Sequence, residues 1–561
     1  MAKNTRIPPR DLRELLAQSA ARYGTKTAIR DKKDGIYQDI SYARLGQEVR
    51  ALACMLSGRF AAGDRVLVMG KNSYEWVLSF LALIELGAVP VPVDPSLRAK
   101  QLAAIAVEAE AKGVLYAPHA ASKRRALVGV RAVCFDKYPF LLAEGKHRMA
   151  TGQEKPAVQV DPDGLAALFF TPGTTDAAKG VMLSHNNLLA TLQNMDAMMR
   201  TESKDVFLSF LPLSHTYECV CGFLYPVSHG ATVAFAEGLD HLLRNMREIH
   251  PTCMVTIPLI ATALYRKCWE RIEKRREETA VRRMIAISDP VRPLSARQAL
   301  KERLLASQRA YFGGSLRRLL VLGGGMEASV QKGLRQLGVF AAQGYGMTEC
   351  AGLAALNRDD FYRDGAAGLV FPDAMLDIYN TQPDGSGEIR YRGKNVMLGY
   401  VNDEERTAKA LSGGWYYTGD VGVVDKEGFL HILGRRQNCI ETVGGHLICP
   451  EHLERLLCQS PFIREAVVVG TYNEATRDSE AAALILPDTA YAAELFGRRC
   501  EEAALEELLG EWVAELNSEL ALYQQIGFYA ITDRPFPRDE AGRVLRAAVA
   551  KEFEESKGEN G

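Results

Sequence analysis

The sequence predicts an α/β protein of at least two domains, and three observations carry that prediction. Short β-rich runs alternate with helical segments over 65–93 and again over 206–258, the pattern of a parallel sheet covered on both faces. From about 365 to 431 the pattern changes to short strands with frequent glycine and Pro-Asp-Gly or Asp-Lys-Glu-Gly turns, which marks a small β-rich unit. At 561 residues the chain is several times longer than one ordinary domain, so more than one hydrophobic core is expected.

Taken in order, apolar residues recur at helical spacing over 11–23 (Leu12, Leu15, Leu16, Ala20, Tyr23), followed by a strand-like run at 36–42. Strands are expected at 65–69 and 89–93, with a helix at 76–87 between them. A second α/β region places strands at 207–211, 231–236 and 253–257. The highly charged stretch 267–283 reads as a solvated surface helix. Strands at 387–392 and 428–433 belong to the β-rich unit. Beyond 434 the chain returns to α/β, with a helix at 451–458, a strand at 466–470 and a long helix at 503–520. A domain boundary falls near Arg435, giving domains 1–435 and 436–561.

Composition excludes several classes. Hydrophobic residues at 47% and charged residues at 24% match an average globular protein and no disordered or fibrous class. Lys plus Arg number 68 against 69 acidic residues, so no bulk field attracts nucleic acid or an anionic membrane. The 11 cysteines are scattered, and Cys219 and Cys221 lack the spacing of a zinc site. They read as small buried hydrophobes, and the odd number suits a reducing compartment. The polar start, with Pro8 and Pro9, is no secretory signal, and the most apolar stretches are interrupted by Glu85, Pro90, Pro92, Pro226 and His229. A cytoplasmic protein with no transmembrane segment is expected, with peripheral membrane contact left open.

Four segments carry chemistry. Over 168–180 the sequence Leu-Phe-Phe-Thr-Pro-Gly-Thr-Thr-Asp-Ala-Ala-Lys-Gly sets a β-rich stretch before a loop of small and hydroxyl residues. Its N–H groups, the hydroxyls of Thr171, Thr174 and Thr175, and the charge of Lys179 suit phosphates. Lys179 lies six residues after Gly173 and no Ser or Thr follows it, unlike the Gly-x-x-x-x-Gly-Lys-Ser/Thr loop, and alone the run reads equally as a surface turn. Leu-Gly-Gly-Gly-Met over 322–326 and Gln-Gly-Tyr-Gly-Met-Thr-Glu over 343–349 each follow a strand-like run, where α/β sheets expose ligand loops. Gly324, Gly344 and Gly346 let a flat ring approach the backbone, Tyr345 stacks on it, and Thr348 and Glu349 suit a phosphate oxygen and Mg²⁺. Strand-end turns with a solvated carboxylate are the plainer reading of either. Asp420, in Tyr-Thr-Gly-Asp over 417–420, suits two ribose hydroxyls, although Thr-Gly-Asp is also a hairpin turn.

In this order and spacing the four segments resemble the adenylate-forming superfamily of acyl-CoA synthetases, peptide-synthetase adenylation domains and luciferases. Thr171, Gly173, Thr174, Thr175, Lys179 and Gly180 match its phosphate loop, approximately Thr-Ser-Gly-Thr-Thr-Gly-x-x-Lys-Gly. The stretch 210–224, with Leu-Pro-Leu-Ser-His, and Asn-Val-Met-Leu-Gly-Tyr over 395–400 resemble the bacterial long-chain fatty acid ligase branch. The resemblance implies a large N-terminal domain of two α/β subdomains plus a barrel-like β unit, then a small mobile α+β domain. It implies ATP, Mg²⁺ held by Glu349 and Thr175, and coenzyme A or an acyl carrier protein as acceptor. It also implies an acyl carboxylate near His215, a ribose or phosphate contact from Arg435, and a hinge at Gln437.

Departures from the family pattern fall at active positions. Pro172 removes a hydroxyl and an N–H donor from the phosphate loop, and Asp176 adds a negative charge there. Gln437 stands at the hinge in place of Asp or Lys. Arg543 occupies the place of the lysine in Pro-x-x-x-x-Gly-Lys-x-x-Arg that bridges carboxylate and phosphate; a planar guanidinium replaces a compact ammonium, which implies slower adenylation with thioester formation less affected. Pairing of Arg543 with Asp539 or Glu540 on the surface is the alternative. The expected activity is that of an ATP-dependent acid–thiol ligase acting on a fatty acid. A weakly active nucleotide- or acyl-binding homologue and an acyl-AMP ligase loading a carrier protein are the alternatives.

Overall fold

A computed structural model describes residues 8–153, 158–171, 178–290, 294–474, 476–496, 502–538 and 544–559. The chain divides into two compact units, residues 1–375 with 391–416, and residues 376–390 with 417–561.

The first unit is built on two parallel sheets. In one, the strands run in the order Val89–Val93, Arg65–Met69, Gly113–Tyr116 and Arg131–Cys134, all parallel. In the other, Thr27–Lys33, Thr232–Phe235, Val206–Ser209, Cys253–Thr256, Arg318–Val321 and Phe340–Tyr345 are parallel neighbours in that order. The antiparallel strand Ile36–Ser41 lies beside Thr27–Lys33. Strands buried on both sides carry no polar alternation, as in Val89–Val93, every residue of which is buried, whereas the charged strand Thr27–Lys33 is only partly buried. The helix Tyr74–Leu86 starts where the Ser73 hydroxyl accepts from the Trp76 N–H and stops at Gly87, whose φ of 76° is left-handed. Nearly all of its side chains are buried, so it is wrapped by protein rather than lying on a surface.

The charged stretch expected as one helix over 267–283 is two helices, Pro258–Lys274 and Glu278–Ser288. Arg276 between them adopts a left-handed φ of 53°, a break that neither Gly nor Pro announces. Nor is the stretch wholly solvated: Cys268, Ile272 and Val281 are buried in the core beneath it.

The strands Ala374–Tyr379, Gly387–Gly393, Trp415–Val424 and Phe429–Arg435, the greater part of each in the second unit, lie side by side in that order. Farther along, Ile463–Asn473, Asp478–Pro487 and Ile526–Ile531 form a mixed sheet with apolar residues on both faces. Val468, Ala483 and Ile485 pack with Leu453, Leu509 and Val513 from the helices Pro450–Leu457 and Glu502–Glu519. Val467, Val469 and Leu484 point the other way, onto Val549 and Phe553 of Arg546–Glu559. The Arg546 guanidinium ties that helix down by donating to Glu454 (2.7 Å) and the Val468 carbonyl (2.9 Å). Cys219, Cys221, Cys253, Cys268, Cys350 and Cys449 are buried as small hydrophobes, whereas Cys54, Cys134 and Cys439 are half-buried and Cys458 is exposed. Among the described residues no helix is long and apolar enough to cross a membrane.

Candidate active site

The strands Leu165–Thr171 and Lys179–Ser184 form an antiparallel hairpin in which Thr171 stands opposite Lys179. Backbone pairing therefore brings together the two ends of the hydroxyl-rich loop. The loop's Pro172, Gly173, Thr174, Thr175 and Asp176 lie outside the described residues. Gly180 follows Lys179 because a Cβ there would come within 2.4 Å of the Val401 side chain. That close approach admits a third strand, Gly399–Tyr400, paired with the hairpin through Tyr400 and Val181.

This third strand connects the hairpin to the predicted segment 343–349. The Lys179 ammonium lies 5.8 Å from the centre of the Tyr400 ring, and the Tyr400 hydroxyl donates to Glu349 Oε1 at 2.8 Å. Burial, reinforced by the Glu349 charge, raises the Tyr400 phenol far above its usual range, so it stays a donor. The Met397 N–H donates to the Glu349 carbonyl (2.8 Å), and the fully buried Asn395 amide donates to the carbonyls of Cys350 (3.0 Å) and Leu353 (2.8 Å). One short segment thus bonds to the hairpin on one side and to the Thr-Glu turn on the other. Sequence reading singled out 395–400 but gave Tyr400 and Asn395 no role, because their partners lie about fifty residues away in the chain.

Tyr345, buried, ends the strand Phe340–Tyr345, and Gly344 and Tyr345 pair with Leu356 and Ala355. Gly346 cannot carry a side chain, since a Cβ would sit 2.3 Å from the Gly352 carbonyl oxygen. Thr348, half-buried, opens the short turn Thr348–Cys350, and Glu349 beside it is 9% exposed. Gly324 follows the neighbouring strand Arg318–Val321, exposed and with a φ of 158°. These loops leave the C-terminal ends of adjacent parallel strands, where α/β sheets open a ligand crevice.

His215 lies beyond Val206–Ser209, on a loop pinned by Asn72. The Asn72 amide donates to the Leu211 carbonyl (2.8 Å) and accepts from the Leu213 N–H (2.9 Å). The His215 side chain is solvent-exposed, yet the protein around it holds the imidazole below its usual range, with Asp94 pulling the other way. Two residues on, the Tyr217 hydroxyl donates to the carbonyls of Leu320 (2.8 Å) and Thr256 (3.3 Å), clasping two strand ends. The π-helical turn Glu218–Leu224 follows, a distortion frequent at functional sites. Its Glu218 is fully buried, and burial pushes its carboxyl up to about 8. The missing side chain of Gly222 makes room for that carboxyl, which a Cβ would meet at 2.7 Å.

In the second unit Asp420 and Arg435 face each other across the ladder of Trp415–Val424 and Phe429–Arg435. The Arg435 guanidinium is 3.0 Å from Asp420 Oδ1; the Asp420 side chain is 7% exposed and that of Arg435 60%. Gln437, exposed, lies in the short turn Arg436–Asn438 directly after this ladder. Arg543 lies outside the described residues.

A family model described as "AMP-binding enzyme" matches residues 16–401. The chain belongs to the AMP-binding enzyme family. A second model, "AMP-binding enzyme C-terminal domain", matches residues 437–556. Among curated AMP-binding enzymes, the chain is 29% identical to the long-chain-fatty-acid–CoA ligase FadD15 of Mycobacterium tuberculosis over 470 residues, 78% of this chain and 76% of that protein. It is 26% identical over 514 residues to the long-chain-fatty-acid–CoA ligase ACSBG1 of Bos taurus, covering 82% and 69%. Among solved structures, the fatty acyl CoA synthetase of Mycobacterium tuberculosis superposes with a TM-score of 0.68 at 20% identity, covering 98% of this chain and 99% of that one. ATP-bound MatB from Rhodopseudomonas palustris superposes with a TM-score of 0.71 at 23% identity, covering 97% and 99%. The o-succinylbenzoate CoA synthetase MenE from Bacillus subtilis, in complex with ATP and magnesium ion, gives 0.68 at 21%, covering 95% and 98%. These likenesses establish the fold expected of an AMP-binding enzyme.

The donor set of this AMP-binding enzyme fits a magnesium ion. Mg²⁺ in nucleotide sites takes one or two carboxylates and fills its remaining positions with phosphate oxygens and water. Glu349 supplies one buried carboxylate, of which Oε1 takes the Tyr400 hydroxyl. Among the described residues no group of three His, Cys, Asp or Glu side chains is placed to hold a metal ion.

Proposed function

We propose that this AMP-binding enzyme is an ATP-dependent acid–thiol ligase that activates a long-chain fatty acid as acyl-AMP and transfers it to coenzyme A. The observation that supports this reading is the link from the Lys179 ammonium over the Tyr400 ring, through the Tyr400 hydroxyl, to Glu349, which joins the cation proposed to grip phosphate to the carboxylate proposed to bind the metal. The names of the curated relatives support the choice of acid and thiol.

In this reading Thr171, Gly173, Thr174, Thr175 and Lys179 hold the phosphates. Gly324, Gly344, Tyr345 and Gly346 flank the adenine, and Asp420 and Arg435 take the ribose and phosphate. Glu349 and Thr175 would hold Mg²⁺, which would supply positive charge where negative charge develops on the phosphates. Thr348 donates to a phosphate oxygen, and His215, kept neutral, donates to the acid without adding charge beside it. A carboxylate oxygen of the acid attacks the α-phosphorus and pyrophosphate leaves. The thiol sulfur then attacks the acyl carbon and AMP leaves. Neither step needs an enzyme nucleophile, so positioning supplies most of the rate. Gln437 serves as the hinge between domains 1–435 and 436–561, and a cytoplasmic location suits the substrates.

Two variants test the assignments. Asp420→Asn keeps the shape but loses the charge that strengthens bonds to ribose hydroxyls, so KM for ATP is expected to rise roughly tenfold with kcat nearly unchanged. An unchanged KM removes Asp420 from the nucleotide. Arg543→Lys is expected to raise acid-dependent ATP–pyrophosphate exchange; a fall, or no change, places Arg543 away from the reacting groups. Product analysis by mass spectrometry with and without coenzyme A tests the whole reading. Acyl-CoA is expected with the thiol present, and acyl-AMP alone under both conditions contradicts it.

A further inference from the structure

Directly beyond the proposed hinge the chain forms a small hairpin, with Ile440 opposite Ile448 and Glu441 opposite Leu447. Its turn is closed by the Thr442 N–H donating to the His446 carbonyl (3.0 Å) and the Gly445 N–H donating to the Thr442 carbonyl (2.8 Å). Continuing the register by one residue places Cys439 opposite Cys449. Their sulfurs are 3.3 Å apart. Directly opposed residues of an antiparallel pair have Cα atoms about 4.5–5.5 Å apart, inside the range of about 4.4–6.8 Å that a disulfide requires.

The two thiols are unlike. Cys449 is 6% exposed, while Cys439 is half-buried and its thiol donates to the Arg435 carbonyl at 3.4 Å. The hydrogen bond from Cys449 holds the Cys439 thiol below its usual range, with Arg436 helping and burial and Glu451 opposing. The same bond, with burial, keeps the proton on Cys449. A half-buried thiol held below its usual range, in contact with a more deeply buried second thiol that can resolve it, is the arrangement of a peroxide-sensitive pair.

We propose that Cys439 and Cys449 form a reversible, peroxide-driven disulfide that clamps the hairpin beginning two residues after Gln437. The Cys439 thiolate attacks a peroxide oxygen. The S–O bond forms, the O–O bond breaks, and the departing oxygen takes a proton as water or an alcohol. The Cys449 sulfur then attacks the sulfenic sulfur. The S–S bond forms, the S–O bond breaks, and hydroxide leaves as water with the Cys449 proton. Two electrons pass from the two thiols to the peroxide. Clamping stiffens the segment that must reorient between the two half-reactions, so this functional consequence rests on the proposed hinge, whereas the disulfide itself does not.

The test uses the full chain treated with a few equivalents of hydrogen peroxide, alkylated and digested with trypsin. Both cysteines fall in one peptide, 437–455, so the oxidised form is that peptide two hydrogen masses lighter and refractory to alkylation until dithiothreitol is added. Exposed Cys458, in the next peptide, is the reference thiol. Acyl-CoA formation is expected to fall roughly tenfold on oxidation, to recover with dithiothreitol, and to be insensitive in Cys449→Ser. Full alkylation of Cys439 and Cys449 under peroxide that oxidises Cys458 overturns the proposal. Formation of the looped peptide without a change in turnover keeps the disulfide and overturns its coupling to the hinge.

Discussion

Glu349→Gln is expected to lower acid-dependent ATP–pyrophosphate exchange by roughly 10²- to 10³-fold, the loss typical of removing one group that stabilises charge at a phosphoryl or oxyanion centre. The substitution is nearly isosteric. A glutamine oxygen still accepts the Tyr400 hydroxyl now bonded to Glu349 Oε1, and the backbone bond from Met397 is unaffected. Thermal unfolding should therefore stay close to that of the parent chain. What disappears is the negative charge offered to a hard cation, so the Mg²⁺ concentration for half-maximal exchange should rise as well. A variant with parental exchange and parental Mg²⁺ dependence would remove Glu349 from the site.

The second large effect concerns stability. Glu218 is fully buried and its carboxyl sits at about 8 in the folded chain, against an ordinary glutamate value of 4.5. Between these values the folded state holds a proton that the unfolded state has lost. The unfolded chain then binds fewer protons, and stability declines with rising pH at a slope of up to about 1.4 kcal/mol per unit. The contribution is fully present below about 4.5 and is lost by about 8. Glu218→Gln removes the titration. Its amide costs a fixed amount for burying unpaired N–H groups, but that cost does not vary with pH. Denaturant midpoints at pH 5.5, 7 and 8.5 should show the variant gaining on the parent as pH rises. Parallel curves would mean that Glu218 finds a partner or water that keeps its pKa ordinary.

Some of this architecture was legible in the residues and some was not. The strands Arg65–Met69 and Val89–Val93 were read to the residue because each is a short β-rich run between strong turn signals and helices. The strand expected at 466–470 extends over Ile463–Asn473, since Glu465 and Thr471 to Asn473 continue the ladder with polar side chains that apolar patterning ignores. The split at Arg276 was invisible because a left-handed arginine leaves no compositional mark. For the candidate site, the segments at 343–349 and 417–420 stood out through their glycines and hydroxyls, although 417–420 lies within the strand Trp415–Val424 and forms no hairpin turn. The Tyr400–Glu349 bond did not, because pairing between distant segments depends on sheet register, which one-dimensional spacing does not encode. The Cys439–Cys449 contact escaped for the same reason, since it arises only when the hairpin closes.

Formation of AMP from Mg-ATP by the purified chain, measured across short, medium and long chain acids with coenzyme A present or omitted, tests the central claim most directly. The account predicts that with the thiol supplied AMP, pyrophosphate and acyl-CoA form in equal amounts that depend on a long-chain acid, and that without it pyrophosphate and acyl-AMP form with no free AMP released. AMP formation that is absent with every acid would contradict it.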